Sequence, residues 1–360
     1  MDITLVFVVA VALFFDFTNG FHDTANAIAT SVSTRAIPPR LAVLGSAVLN
    51  FAGAFVSLKV AATVASGVVD PHAITLSVVL AGLVGAITWN LLTWYAGMPS
   101  SSSHALIGGV LGSAVVATGG FGVVEAGGLV GKVVVPALLA PMLAIPIAAG
   151  VTAGVLLIVR RRAPGTVNRV FRRLQILSAG FVSFTHGTND AQKTMGIITL
   201  ALIATGHISA DHFAVPTWVI AASATAMAAG TYAGGWRIIR TLGQRVTRLG
   251  PAEGFAAEAA TATILWFTAR FGFPVSTTHT IASAILGVGA TKNSSAVRWG
   301  VAGNIVLAWL ITIPCAGLMA AGVERLTSVP AGDGLAVALA AVVGAVAMVT
   351  RARRSRLAVS

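Results

Sequence analysis

Apolar runs recur along the chain over 3–30, 41–65, 73–97, 103–118 and 129–159, and again over 174–205, 215–236, 255–272, 277–290, 298–321 and 334–350. A helix needs about 17 to 25 residues to cross hydrocarbon, and most of the runs are of that order. A basic stretch interrupts them, with Arg160, Arg161, Arg162, Arg169, Arg172 and Arg173. The pattern predicts an all-α polytopic membrane protein. Its expected divisions are a first repeat over 1–159, a basic cytoplasmic linker over 160–173, a second repeat over 174–321, and an extra C-terminal helix with a basic cytoplasmic tail over 322–360.

The two halves match at two places. Asn19-Gly20-Phe21-His22-Asp23 aligns with His186-Gly187-Thr188-Asn189-Asp190, and Pro99 through His104 aligns with Pro274 through His279. Two polar matches at nearly constant offset mark an internal duplication, where shared hydropathy would not. With an odd number of crossings per unit the second copy lies upside down, whether each hairpin is re-entrant or spans. The expected arrangement is two inverted repeats, each with a broken helix and a hairpin whose tip meets the other near the bilayer midplane.

Composition agrees, since 56% hydrophobic and 9% charged residues do not make a water-soluble core in a polar shell. The net charge of +12 does not imply a nucleic-acid partner, because the basic residues sit in short loops, as the positive-inside bias dictates. With the linker placed inside, Arg35, Arg40, Arg237, Arg240, Arg245, Arg248, Lys292, Arg298, Arg351, Arg353, Arg354 and Arg356 fall inside too. The outer loops then hold Asp2, Asp70, Glu125, Asp211, Glu324 and Asp333 with only Arg325 as a basic residue. A multi-pass protein of the cell membrane is expected, N-terminus outside and C-terminus in the cytoplasm. Met1 and Asp2 lead straight into an apolar stretch without a basic n-region, so that stretch reads as the first helix and not as a cleaved signal. Cys315 is the sole cysteine, which excludes an intrachain disulfide; neither a structural metal nor a cofactor is expected.

The candidate chemistry lies in the matched motifs. Gly97-Met98-Pro99-Ser100-Ser101-Ser102-Ser103-His104 and Gly272-Phe273-Pro274-Val275-Ser276-Thr277-Thr278-His279 each precede an apolar run. Gly-Pro ends the incoming helix, and Ser or Thr caps the outgoing one. Each tip is thus a helix N-terminus rich in donors, and two that converge suit a compact oxyanion. A Ser-His nucleophile and base would be an enzymatic reading, but sequence neighbours such as Ser103 and His104 point in different directions on a helix.

In the other motif, glycine and polar residues inside apolar runs predict discontinuous helices with ion-binding carbonyls. Asp23 and Asp190 are costly at membrane depth, so they are expected to face a cation-binding interior, with Asn26, Asn189 and Gln192 as neutral oxygen ligands. The competing structural reading is a buried ion pair of Asp190 with Lys193. His22 beside Asp23 offers an imidazole for proton coupling. Asp16 and Glu258 are second-rank candidates for the ion path, while Lys59, Lys132 and Arg270 are read as snorkelling to an interface.

Gly20-Phe21-His22-Asp23-Thr24-Ala25-Asn26-Ala27 resembles the Gly-x-Asn-Asp-x-Ala-Asn-Ala signature of the PiT family of inorganic phosphate transporters. His186-Gly187-Thr188-Asn189-Asp190-Ala191-Gln192-Lys193 is similar to its second signature, and the likeness runs from residue 14 to 314. The resemblance implies a secondary transporter, with phosphate held by Ser101, Ser102, Ser103, Ser276, Thr277 and Thr278. It also implies a cation or proton at Asp23, Asn26, His22, Asp190, Asn189 and Gln192, with a transported cation at Asp23 and Asp190. His22 where many members have Asn resembles the bacterial proton-coupled carriers of phosphate or metal-phosphate. Sodium coupling and sulfate, which the family also carries, stay open, as does an uncoupled anion channel. The expected partners are phosphate, the coupling cation and the lipid bilayer, with a homodimer as an open option.

Overall fold

A computed structural model describes residues 3–209 and 213–327. Asp2, Asp211, Asp333, the apolar run 334–350 and the basic tail lie outside the described residues. The helices are α1 (Ile3–Ser33), α2 (Pro39–Gly53), α3 (Lys59–Ser66), α4 (Leu76–Ala96), α5 (Ser102–Thr118), the single turn α6 (Ala126–Gly128) and α7 (Val135–Val159). They continue as α8 (Pro164–Ala204), α9 (Thr217–Ala233), the short α10 (Trp236–Arg240), α11 (Pro251–Phe271), α12 (Thr277–Asn293) and α13 (Trp299–Thr327). Among the described residues there is no strand; the all-α expectation holds.

Among the described residues four helices are long and apolar enough to cross a membrane: Ile3–Ser33, Leu76–Ala96, Ala126–Val159 and Trp299–Thr327. Leu138, Leu139, Met142, Leu143, Leu157 and Ile158 of α7 and Leu307, Leu310 and Leu318 of α13 are exposed, a surface that suits lipid and not water. At the centre the burial pattern reverses. α1 is buried on every face from Thr18 to Ser31, and α8 from Thr185 to Leu202. A helix enclosed all round can carry polar residues only where they find partners, and these stretches hold both Asn/Asp motifs.

The expected breaks in these helices do not occur. α1 and α8 run without interruption through Asn19-Gly20 and His186-Gly187. The glycines serve close packing instead: a Cβ on Gly20 would stand 2.3 Å from Met227 O of α9, and one on Gly187 would stand 2.1 Å from Asn50 O of α2. The partners reciprocate, since a Cβ on Gly230 would lie 2.1 Å from Phe17 O and one on Gly53 would lie 2.1 Å from Phe184 O. The first helix of each half therefore crosses the second helix of the other half through a pair of glycines.

The breaks fall in those second segments. The run 41–65 divides into α2 and α3, and 215–236 stops at Gly234 (φ +73°) and Gly235, whose Cβ would meet Phe21 O at 2.3 Å. The basic stretch 160–173 is also not a loop for most of its length, because α8 starts at Pro164 and carries Arg169, Arg172 and Arg173. Proline at the first helical position and long aliphatic arginine stems favour that start.

Candidate functional site

The two tips are built alike. α4 ends on Gly97 (φ 68°, ψ 25°) and α11 on Gly272 (φ 75°, ψ 23°), both in the left-handed region that lets a helix end without a Cβ clash. Met98 N–H then returns to Thr93 O at 2.9 Å, and Phe273 N–H returns to Thr268 O at 2.9 Å. Ser101 caps α5 by accepting from His104 N at 3.2 Å, and Ser276 caps α12 by accepting from His279 N at 3.2 Å. Serine at an N-cap satisfies the third N–H of the first turn. The N–H groups of Ser102, Ser103, Thr277 and Thr278 have no helical partner four residues back, so each tip presents free donors.

The tips meet. The rings of His104 and His279 touch edge to face with centroids 4.7 Å apart, and His279 stacks on Trp309 at 4.1 Å. These histidines pack the two helix starts against each other.

Asp23 and Asp190 are brought to this seam from α1 and α8. Asp23 Oδ1 lies 2.6 Å from His22 Nδ1, and its Oδ2 lies 2.6 Å from Ser102 Oγ of the first tip. Thr278 of the second tip approaches Asp23 Oδ1 at 3.5 Å. Asn26 donates to Thr278 Oγ1 at 2.8 Å and stands 3.1 Å from Thr277 Oγ1. Asn19 Oδ1 is 2.6 Å from Ser102 Oγ, and His22 Nε2 faces the hydroxyls of Thr93 (3.2 Å) and Ser100 (3.4 Å). One carboxylate thus touches both tips and one imidazole.

On the other side Lys193 Nζ pairs with Asp190 Oδ1 and donates to Ser103 Oγ, with Val275 O at 3.3 Å. Asp190 Oδ2 faces His186 Nε2 at 3.1 Å and Thr277 Oγ1 at 3.4 Å. His186 Nδ1 lies 3.1 Å from Asn50 Oδ1, and Asn50 donates to Thr231 Oγ1 at 2.9 Å. Asp23, His186 and Asp190 each offer a ligand atom within 4.8 Å of the others. Every one of these site side chains is buried, so the arrangement is closed to both sides of the protein.

The structure therefore gathers Ser102, Ser103, Thr277, Thr278, His22, Asp23, Asn26 and Asp190. Ser101 and Ser276 lie at the same tips, but their hydroxyls are engaged as caps. Asn189 is buried with its amide atoms unpartnered. Gln192 is a correction: its Oε1 accepts from Val60 N (2.9 Å) and Ala61 N (3.3 Å), so it caps α3 and is not free as a cation ligand. His186 and Asn19, at matching positions of the duplicated motif, had no assigned role in the sequence reading; that match was the signal that marks them. Thr93 and Ser100 had no such signal, because their roles arise from the turn that folds them back onto His22.

Asp16 is buried in α1 close to the Asp190–Lys193 pair of α8. Glu258 forms a separate cluster, accepting from Thr30 and Ser31 of α1 and from Ser178 and Gln175 of α8, the last at 3.3 Å. Glu258→Ala would strand several buried donors at roughly 1 kcal/mol or more each, so stability is expected to fall by about 3 kcal/mol or more. Glu258→Gln keeps an acceptor and is expected to retain most of it. Thermal unfolding in detergent measures both, and an unchanged transition in E258A contradicts the expectation.

Comparison with known proteins gives a consistent picture. A family model described as the phosphate transporter family matches residues 19–165 and 158–320. A "probable low-affinity inorganic phosphate transporter" of Mycobacterium bovis is 54% identical over 317 residues, covering 88% of this chain and 76% of the relative. One of the same description from Rhizobium meliloti is 48% identical over 327 residues, covering 89% of this chain and 97% of the relative. A solved structure described as "the sodium-dependent phosphate transporter" superposes with a TM-score of 0.81 at 24% identity, over 90% of this chain and 98% of that one, a likeness of fold.

Proposed function

The chain belongs to the phosphate transporter family and is a multi-pass membrane protein, and from that premise we propose that it imports inorganic phosphate across the cell membrane by symport with a proton. Phosphate is held between the two tips by the free N–H groups and hydroxyls of Ser102, Ser103, Thr277 and Thr278. Ser101 and Ser276 hold the two helix starts in shape. The halves act as inverted repeats that rock about this seam and expose it alternately, with the N-terminus outside and the C-terminus inside.

The observation that carries the reading is the placement of Asp23. Its carboxylate contacts Ser102 and Thr278 on opposite tips and the His22 imidazole at once. A proton arriving on the His22–Asp23 pair changes the charge that an incoming oxyanion meets, which couples the two. Phosphate also retains a dissociable proton near neutral pH, which sulfate lacks, so a carboxylate acceptor favours phosphate.

A second coupling ion is favoured by one feature. Asp23, His186 and Asp190 converge within 4.8 Å, and His186 Nε2 faces Asp190 Oδ2 without the alignment of a hydrogen bond, a donor set that suits a transported cation such as sodium. Uptake of labelled phosphate into proteoliposomes separates the two. With an imposed proton gradient and no sodium, accumulation is expected; uptake only after sodium is added overturns proton coupling, and no uptake under either gradient overturns symport.

A further inference from the structure

The two motif carboxylates hold matching positions in the duplicated sequence, yet their surroundings differ in one respect. Asp23 has a titratable imidazole beside it, whereas Asp190 has an ammonium. Lys193 is 1% exposed and, among the described residues, the sole buried lysine or arginine. Its Nζ makes no use of solvent: it is held by Asp190 Oδ1, by Ser103 Oγ of the first tip and by Val275 O of the second. Three oxygens from three segments around a unit positive charge are the surroundings that a small monovalent cation would require.

We propose that Lys193 is a tethered counter-cation that fills the place of a second transported ion at Asp190, so that phosphate moves with one mobile cation, bound on the Asp23 side. The position in the first half that corresponds to Lys193 is Asn26, whose amide reaches Thr277 and Thr278 but carries no charge. Asp190 Oδ1 is thus permanently neutralised, and of the two motif carboxylates Asp23 is the one left to be neutralised on each cycle. A mobile ion bridging Asp23, His186 and Asp190 Oδ2 would still be one ion. The inference rests on the coupled-transport reading above but concerns the number of cations and not the identity of the anion.

Equilibrium binding of radiolabelled sodium to the purified full chain tests it. Wild type is expected to bind at most one sodium per chain, and two per chain overturn the assignment whatever any variant does. Lys193→Ala is expected to bind one more than wild type, and D190N/K193A, which removes both charges, to return to the wild-type number. An unchanged number in folded K193A overturns the proposal. In proteoliposomes, replacing choline chloride by sodium chloride is expected to raise phosphate uptake by K193A about tenfold more than uptake by wild type, within the usual coupling between two bound ligands, and to raise uptake by D190N/K193A no more than by wild type. If wild type takes up no labelled phosphate, the transport reading fails while the sodium number still decides the role of Lys193.

Discussion

Asp23→Asn is expected to lower the initial rate of phosphate uptake by about a hundredfold or more while leaving the fold intact. The carboxylate is an acceptor on both oxygens, receiving from His22 Nδ1 on one side and from Ser102 Oγ on the other, each at 2.6 Å. An asparagine can keep its oxygen toward His22 Nδ1 and donate its NH₂ to Ser102 Oγ, whose O–H then turns to Asn19 Oδ1, so what is lost is the charge and the proton-accepting group. Losing the charge removes about 3 kcal/mol of interaction in the loaded state, which corresponds to the hundredfold loss. The fold survives because asparagine keeps the shape of the side chain and, among the described residues, no lysine or arginine is paired with Asp23. Asp190→Asn differs on that point: it leaves the Lys193 ammonium enclosed without its carboxylate, a change that costs about 3–5 kcal/mol. Uptake per inserted protein, compared with detergent unfolding, distinguishes a defect of coupling at Asp23 from a defect of stability at Asp190. A D23N protein that transports within about tenfold of wild type contradicts the role given to this residue.

Much of this site was legible in the sequence because duplication singles out polar residues that hydropathy alone would not. The tips are the clearest instance. Gly-x-Pro followed by Ser or Thr and His encodes a left-handed helix end, a turn and a capped helix start, all local chemistry, and both copies fold as written. What the sequence could not yield were contacts between distant segments. Glycine beside polar residues is equally consistent with an unwound helix and with a close helix crossing, and only the position of Met227 O and Asn50 O decides for crossing. Gln192 looked like an ion ligand because its neighbours are Asp190 and Asn189, but its side chain turns to the start of α3. The breaks at 54–58 and 234–235 were hidden because the residues on either side are apolar.

The same geometry shows how the motif acids come together. Asp23 and Asp190 reside on α1 and α8, and each of these helices is gripped by the second segment of the opposite half. Interleaving in this manner places both carboxylates next to both tips, which neither half arranges alone. It also ties the separation of the halves to the helix crossings, so a change in crossing distance is felt directly at the seam where the oxyanion is held.

Gly187→Ala is for that reason expected to be among the most damaging small substitutions in the chain. Its Cβ would sit 2.1 Å from Asn50 O and 2.6 Å from Asn50 Cα, and both are backbone atoms of α2 that no rotamer change can move. The two helices must separate, which costs about 3 kcal/mol or more and lowers the unfolding temperature by on the order of 10 °C. Separation also pulls Asn50 from His186, so the imidazole loses the 3.1 Å contact that orients it toward Asp190. Gly230→Ala, whose Cβ would lie 2.1 Å from Phe17 O, is expected to do the same at the α1–α9 crossing. Gly45→Ala is the control on α2 itself: nothing lies within 4 Å of its Cβ position, and alanine is the better helix former, so stability is expected to hold or rise by up to about 1 kcal/mol. Fluorescence-detected unfolding of the three variants in one detergent measures the difference. If G187A and G230A unfold with G45A, the glycines are not what holds the crossings together, and the interleaving of the halves must depend on other contacts.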